Sequence, residues 1–362
     1  MYESYPTPAV IVELGIVEKN IKTLVDNAKA HGIAHRPHVK THRSSELAHL
    51  QLKLGAQGIT CAKLGEAEVM ARSGIQDIFI AYPLIGEDKM ERLGKLMQIA
   101  TVTTLVGSAV GAKQLSDLAV RTGKTIRVRL DIDGGLGRGG VLPGEPALAL
   151  AQQIQSLPGL QIVGLMYYGG LIYHEPTRAQ MEKIAQKEHD DLVDTAALLR
   201  AHGFTMDELS GGTSFSGKMP EILEGITEIR SGHYIFNDCS QLFSGFAGEE
   251  DCALRIVTTL VAKMDERHGI LDVGTKTLTS DLCDHHPGYG YILGRPQLRI
   301  TALNEEHAFL ESEGPMDLEI GDKVTLIPNH ACVICNLAGQ VYGVREGRFD
   351  HVIQIDAQSQ SV

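Results

Sequence analysis

Residues 101–131, TVTTLVGSAVGAKQLSDLAVRTGKTIRVRLD, open with a β-branched, apolar run at Thr101–Val106. Apolar residues then recur at helical spacing over Ala112–Val120, and strand character returns at Thr125–Asp131. Strand, helix, strand in one short span predicts a crossover unit with parallel strands. The alternation continues in both directions. Upstream lie strand-like Ile33–Val39, Gly58–Ala62 and Asp77–Tyr82. Helical patterns at Ile16–Ala30, Ser45–Leu54, Glu66–Ala71 and Lys89–Gln98 precede, separate and follow them. Downstream come helix Ala147–Gln155, strand Leu160–Tyr168, a long helix Arg178–Ala201, and strands Glu208–Gly211 and Thr227–Ser231. Eight such strands in roughly 200 to 250 residues predict a (β/α)8 TIM-like barrel rather than a doubly wound open sheet.

After Phe243 the pattern becomes strand–turn–strand: Leu254–Met264, Gly269–Val273, Gln297–Thr301, Lys323–Pro328, Ala331–Leu337 and His351–Ile355. This predicts a smaller, mostly antiparallel β domain. The expected division is a barrel over 16–244 and a β domain built from 1–15 and 245–362. The chain has 362 residues, enough for two domains or one enlarged barrel. Its charge is 33 − 45 = −12, which disfavours nucleic acid and anionic membranes as partners. No apolar run reaches the roughly 18 residues of a membrane span. The N-terminus MYESYPTPAV lacks a basic then apolar leader pattern. Six scattered cysteines read as free thiols, so a cytoplasmic setting is expected.

In a βα barrel, reactive side chains come from the C-terminal ends of the strands. Lys40 closes the first strand, where burial would lower its pKa and free the amine lone pair; a solvated loop lysine is the plain alternative. Glycine clusters follow the seventh and eighth strands, at Ser210-Gly211-Gly212-Thr213 and Ser231-Gly232-His233-Tyr234. Loops at those places can bind phosphate through backbone N–H groups, with Thr213 adding a hydroxyl, or can be simple tight turns. Arg138 ends the turn Asp131-Ile-Asp-Gly-Gly-Leu-Gly-Arg138, where it could pair with a phenolate or carboxylate, or lie on the surface. In the second domain, Pro328-Asn-His330-Ala-Cys332-Val-Ile-Cys335 places His330 and Cys332 two apart. On a strand they share a face and suit Zn²⁺, while Cys335 points away. Two ligands are short of the usual three, so water, substrate or another residue must complete the shell. Asp284-His285-His286 is a candidate source, with a solvated polar loop as the alternative.

These pieces together resemble the D-serine dehydratase/D-threonine aldolase family of alanine-racemase-like, fold type III enzymes. Arg36-Pro-His-Val-Lys40-Thr-His is similar to that family's pyridoxal phosphate lysine motif. Gly58-Ile-Thr-Cys-Ala-Lys-Leu-Gly-Glu-Ala, Asp131 to Arg138, Ser231 to Asp238, Leu271-Asp-Val-Gly and Pro328-Asn-His-Ala-Cys332 resemble its other motifs, in the family's order. Thr41-His-Arg43 departs from the commoner Thr-His-Lys, and Tyr167-Tyr-Gly-Gly170 lacks a histidine found in some members. The resemblance implies pyridoxal 5'-phosphate bound to Lys40, with phosphate held at Gly211, Gly212, Thr213, Gly232, His233 and Tyr234. It implies Arg138 on the phenolate side, Tyr168 beside the ring, and a divalent metal on His330 and Cys332, with zinc favoured over manganese or magnesium. The implied function is a lyase for D-β-hydroxy amino acids, in first place D-serine dehydration to pyruvate and ammonia. Retro-aldol cleavage of D-threonine or 3-hydroxy-D-aspartate is the alternative, with racemization and non-enzymatic carriage of the cofactor further behind. The family's His-x-Cys pattern goes with dehydratases, several aldolases having His-x-Asp. A homodimer is expected, as for other fold type III enzymes.

Overall fold

The computed structural model describes residues 2–362. The chain forms two compact units. One comprises Met1–Ile21, Thr41–Glu46 and His233–Gln358; the other comprises Lys22–Lys40, Leu47–Gly232 and Ser359–Val362. Strand β1 (Ala9–Glu13) belongs to the first unit.

The second unit carries β2 (Ala34–His35), β3 (Ile59–Cys61), β4 (Asp77–Pro83), β5 (Thr101–Val106), β6 (Ile126–Ile132), β7 (Leu160–Tyr167), β8 (Glu208–Gly211) and β9 (Glu228–Ile229). They form one parallel sheet in the order β2-β9-β8-β7-β6-β5-β4-β3. A parallel bridge between His38 and Thr60 joins the two outermost strands, so the ring closes as the alternating sequence predicts. Helices α1 (Leu14–Ala30), α2 (Ser45–Lys53), α3 (Leu64–Arg72), α4 (Glu87–Leu96), α5 (Ala109–Thr122), α6 (Glu145–Ile154) and α7 (Arg178–Ala201) alternate with the strands along the chain. In α5 the local chemistry is explicit. Ser108 accepts the Gly111 N–H at 3.2 Å and starts the helix, and Gly123, at φ 63°, ends it in the left-handed conformation glycine permits. Between those stops, Ala112, Leu115, Leu118 and Ala119 are buried on one stripe.

The barrel interior is charged. Arg129, only 1% exposed, donates to Glu208 at 2.8 Å, pairs with Glu228, and lies over the Phe79 ring. Arg36 donates to Glu228 at 2.9 Å and holds Asp77 with two parallel bonds of 2.8 and 3.0 Å. Burial alone would raise the Glu228 carboxyl, but Arg129 and Arg36 hold it well below the usual carboxylate range.

The first unit is mostly antiparallel. It holds β1 with β10 (Leu254–Lys263), β11 (His268–Leu271), β12 (Tyr291–Ile292), β13 (Leu298–Leu303), β14 (Ala308–Ser312), β15 (Lys323–Ile327), β16 (Gln340–Arg345) and β17 (Arg348–Gln354). The main order is β13-β14-β11-β10-β1-β16-β17, with β15 pairing both β10 and β12. Only the β1–β16 pair is parallel. Three short helices complete it: α8 (Cys239–Phe243), α9 (Thr275–Leu278) and α10 (Ala331–Leu337). The segment Ala331–Leu337, expected as a strand, is therefore a helix. Ala331, Ile334 and Cys335 are buried at helical spacing, and the buried Asp238 carboxylate accepts the Ala331 N–H at 3.1 Å. Among the described residues no helix is long and apolar enough to cross a membrane.

Candidate functional site

In the barrel unit, the segment after β2 is clamped on both sides. Arg36 N donates to Ile229 O at 2.9 Å, His38 N to Ser231 O at 3.1 Å, and Thr60 N to Pro37 O at 2.8 Å. The clamped segment carries Lys40, five residues past the end of β2, in a single 3-10 turn (Val39–Thr41), with Val39 fully buried and Lys40 half-buried. Arg138 and Tyr168 come together: the guanidinium lies 4.0 Å from the ring centroid. The glycine turn before Arg138 is held by Asp133, whose carboxylate accepts the N–H groups of Gly135 and Gly137 at 3.0 and 3.1 Å. Burial raises the nearby Asp131 carboxyl, with Arg138 and Arg230 opposing.

The two glycine loops meet. Ser231 Oγ donates to Thr213 O at 2.7 Å, and Gly232 N to Ser214 Oγ at 3.0 Å. Gly212 has φ 76°, and a Cβ there would lie 2.4 Å from Ile229 Cγ2, so only glycine fits. Several donors expected to face a phosphate are used within the loops. Gly212 N bonds Glu188 and Thr213 N bonds Ser216 Oγ, both at 2.8 Å. Thr213 Oγ1 accepts from Phe215 N and Ser216 N at 3.1 and 3.0 Å. Glu188, fully buried and raised by that burial, was not foreseen; its signal is only one acidic residue within α7. These bonds shape the loops.

In the first unit, His233 and Tyr234 follow Gly232 in a buried 3-10 turn. His330 occupies the N-cap position of α10, and Cys332 lies in its first turn. Their side chains hydrogen-bond to each other. His330 Nδ1 also meets Asp281 Oδ2 at 2.8 Å. Thr41, which follows Lys40 in the chain, has Oγ1 3.2 Å from Cys332 Sγ. The Cys332 thiolate, with Asp238 and Asp281 assisting, pushes the His330 pKa up to about 10 against the cost of burial. An imidazole beside a cysteine sulfur has the donor chemistry for a borderline-soft divalent cation. Among the described residues no group of three or more His, Cys, Asp or Glu is arranged around one ion. Within Asp284-His285-His286, His286 stacks on Phe243 with ring centroids 4.1 Å apart. Cys335, three residues beyond Cys332, is sealed in the core and its thiol is pushed up by burial.

Comparison with known proteins agrees with this architecture. Residues 12–239 match the family "Alanine racemase, N-terminal domain", and residues 253–344 match the "Putative serine dehydratase domain". A D-threonine aldolase of Arthrobacter sp. is 33% identical over 355 residues, covering 97% of this chain and 92% of the relative. The crystal structure of D-threonine aldolase from Filomicrobium marinum superposes with a TM-score of 0.90 at 29% identity, covering 98% of this chain and 96% of that one. D-threo-3-hydroxyaspartate dehydratase from Delftia sp. HT23 superposes with a TM-score of 0.89 at 26% identity, covering 98% of each chain. A cysteine-to-alanine variant of such a dehydratase has been solved in a metal-free form. The chain belongs to the alanine racemase N-terminal domain family, and within it to the lyases that join this barrel to a serine dehydratase domain.

Proposed function

We propose that the protein is a pyridoxal phosphate- and divalent-metal-dependent lyase of D-β-hydroxy amino acids, working chiefly as a D-serine-type dehydratase. The observation that carries this reading is the side-by-side placement of His330 and Cys332, with the hydroxyl of the residue after Lys40 against the Cys332 sulfur. Bound here, pyridoxal phosphate would supply an electron sink at Cα and the metal a Lewis acid toward the β-hydroxyl. Lys40 Nζ would hold the cofactor aldehyde and, once released from it, would take the Cα proton. Arg138, spread over Tyr168, would orient the cofactor from its phenolate side. The loops at Gly211 to Thr213 and Gly232 to Tyr234 would hold the phosphate. His330 and Cys332 would bind zinc, in line with their nitrogen and sulfur donors.

Two outcomes are open to one such site. Loss of the β-hydroxyl gives a 2-oxo acid and ammonia; removal of its proton instead cleaves Cα–Cβ and gives glycine and an aldehyde. Cys332 supports the first, because the family's dehydratases carry His-x-Cys. The 33% identity to a D-threonine aldolase supports the second. Incubation with D-serine and D-threonine separates them: pyruvate and 2-oxobutyrate are expected, and glycine without any 2-oxo acid would overturn the dehydratase reading. The six free thiols support a cytoplasmic setting. Likeness to fold type III enzymes supports a homodimer, which sedimentation velocity would test.

A further inference from the structure

We infer that Asp281 is the positioning residue of the metal centre: it fixes the tautomer and orientation of His330 so that Nε2 is the nitrogen offered to the cation. This deepens, and rests on, the metal-binding role proposed above for His330 and Cys332. Three observations converge on Asp281. First, its Oδ2 lies 2.8 Å from His330 Nδ1. A carboxylate only accepts, so Nδ1 carries the hydrogen, and in the neutral ring the lone pair falls on Nε2. Second, the Asp281 backbone is held from both ends. Its carbonyl accepts from Asn329 Nδ2 at 3.0 Å, and its N–H donates to Thr279 Oγ1 at 3.0 Å. Asn329 immediately precedes His330, so histidine and carboxylate are tied by side chain and by backbone. Asn329 is itself buried and fixed, accepting from Gly290 N at 3.0 Å and donating to Gly288 O at 2.8 Å.

Third, Thr279 has φ 66°. A β-branched residue in the left-handed region is strained, and strain of this kind persists where the surrounding structure imposes it. Here it sets the hydroxyl that receives the Asp281 amide. Asp238 plays a parallel part on the other side. Fully buried, it accepts the Ala331 N–H, fixing the backbone between the two donors. An orienting carboxylate on the far nitrogen of a metal-bound histidine is a recurring support of such centres.

The test uses the full chain stripped of metal and titrated with Zn²⁺ against a colorimetric chelator. Asp281→Ala should bind Zn²⁺ about 10- to 100-fold more weakly. Asp281→Asn, whose amide oxygen still accepts from Nδ1, should recover part of that loss. Loaded with Co²⁺, the Asn variant should keep the visible band positions of the wild type, because the carboxylate orients the ligand without bonding the metal. Unchanged Zn²⁺ affinity in both variants would overturn the inference, as would a shifted Co²⁺ spectrum, which would make Asp281 a ligand. His330→Ala and Cys332→Ala separate the two levels: if they too bind Zn²⁺ like the wild type, the metal site itself falls. Melting of the metal-free variants checks folding, and if the Ala variant does not fold, the Asn variant decides through a loss of several-fold in Zn²⁺ affinity, with no loss overturning the inference.

Discussion

Glu228→Gln tests the interior of the barrel, on which the placement of Lys40 depends. Glu228 joins two guanidiniums and accepts from Ser210 Oγ at 2.6 Å. At an effective dielectric of about 20, one such charge pair near 4 Å is worth about 4 kcal/mol. Glutamine keeps an acceptor but loses the charge. The loss is cushioned, because Arg36 retains Asp77 and Arg129 retains Glu208. Breaking one partner of a buried pair costs about 3–5 kcal/mol, and the retained partners place this case near 3. At roughly 2 °C per kcal/mol for a chain of this size, the melting temperature should fall by about 6 °C at pH 7.

The pH dependence has a definite sign. The folded carboxyl titrates below its unfolded value, so its stabilisation is complete above about pH 4.3 and drains away as the pH falls further. The gap between wild type and variant should therefore be constant from pH 8 to pH 5 and narrow below pH 4. Arg36 lies four residues before Lys40 on the clamped segment, so cofactor affinity should fall along with stability. Calorimetry across that pH range, with cofactor titration at pH 7, measures both effects. A variant melting within about 1 °C of wild type at pH 7 would refute the assignment of Glu228 as the electrostatic link between β2 and β9.

Lys40→Ala should lose the visible absorbance of lysine-bound pyridoxal phosphate and all turnover, leaving the fold intact by circular dichroism; a retained band would contradict the assignment. Cys332→Ala should weaken Zn²⁺ binding by about tenfold or more, since a thiolate is the stronger of the two donors for this ion. Metal analysis after dialysis against chelator measures it, and unchanged stoichiometry would remove Cys332 from the site.

What a single chain reveals depends on the distance between partners. The barrel strands are legible because six of them, β2 to β7, are each followed by a helix, α2 to α7, before the next strand begins. The interior charges are not. In β6, Arg127 and Arg129 alternate with apolar residues, which locally reads as a strand with one wet face. Yet Arg129 is buried, and its acceptors Glu208 and Glu228 lie 79 and 99 residues away. The helix α10 is a comparable case. Ala-Cys-Val-Ile-Cys-Asn-Leu is short and β-branched at its centre, so pattern alone favours a strand; the group that satisfies its first amide, Asp238, is 93 residues upstream.

That difference changes why Cys335 is excluded as a ligand. Strand parity would have turned it away from Cys332, but on a helix residues three apart are neighbours, so only its sealed position in the core removes it. His330 and Cys332 meet for a reason unrelated to strand parity as well: one stands at the cap of α10 and the other in its first turn. The His-x-Cys spacing leaves a local trace in the sequence. The carboxylate that turns the imidazole, 49 residues upstream at Asp281, leaves none, because an aspartate in a polar loop has many uses and only the folded backbone selects this one.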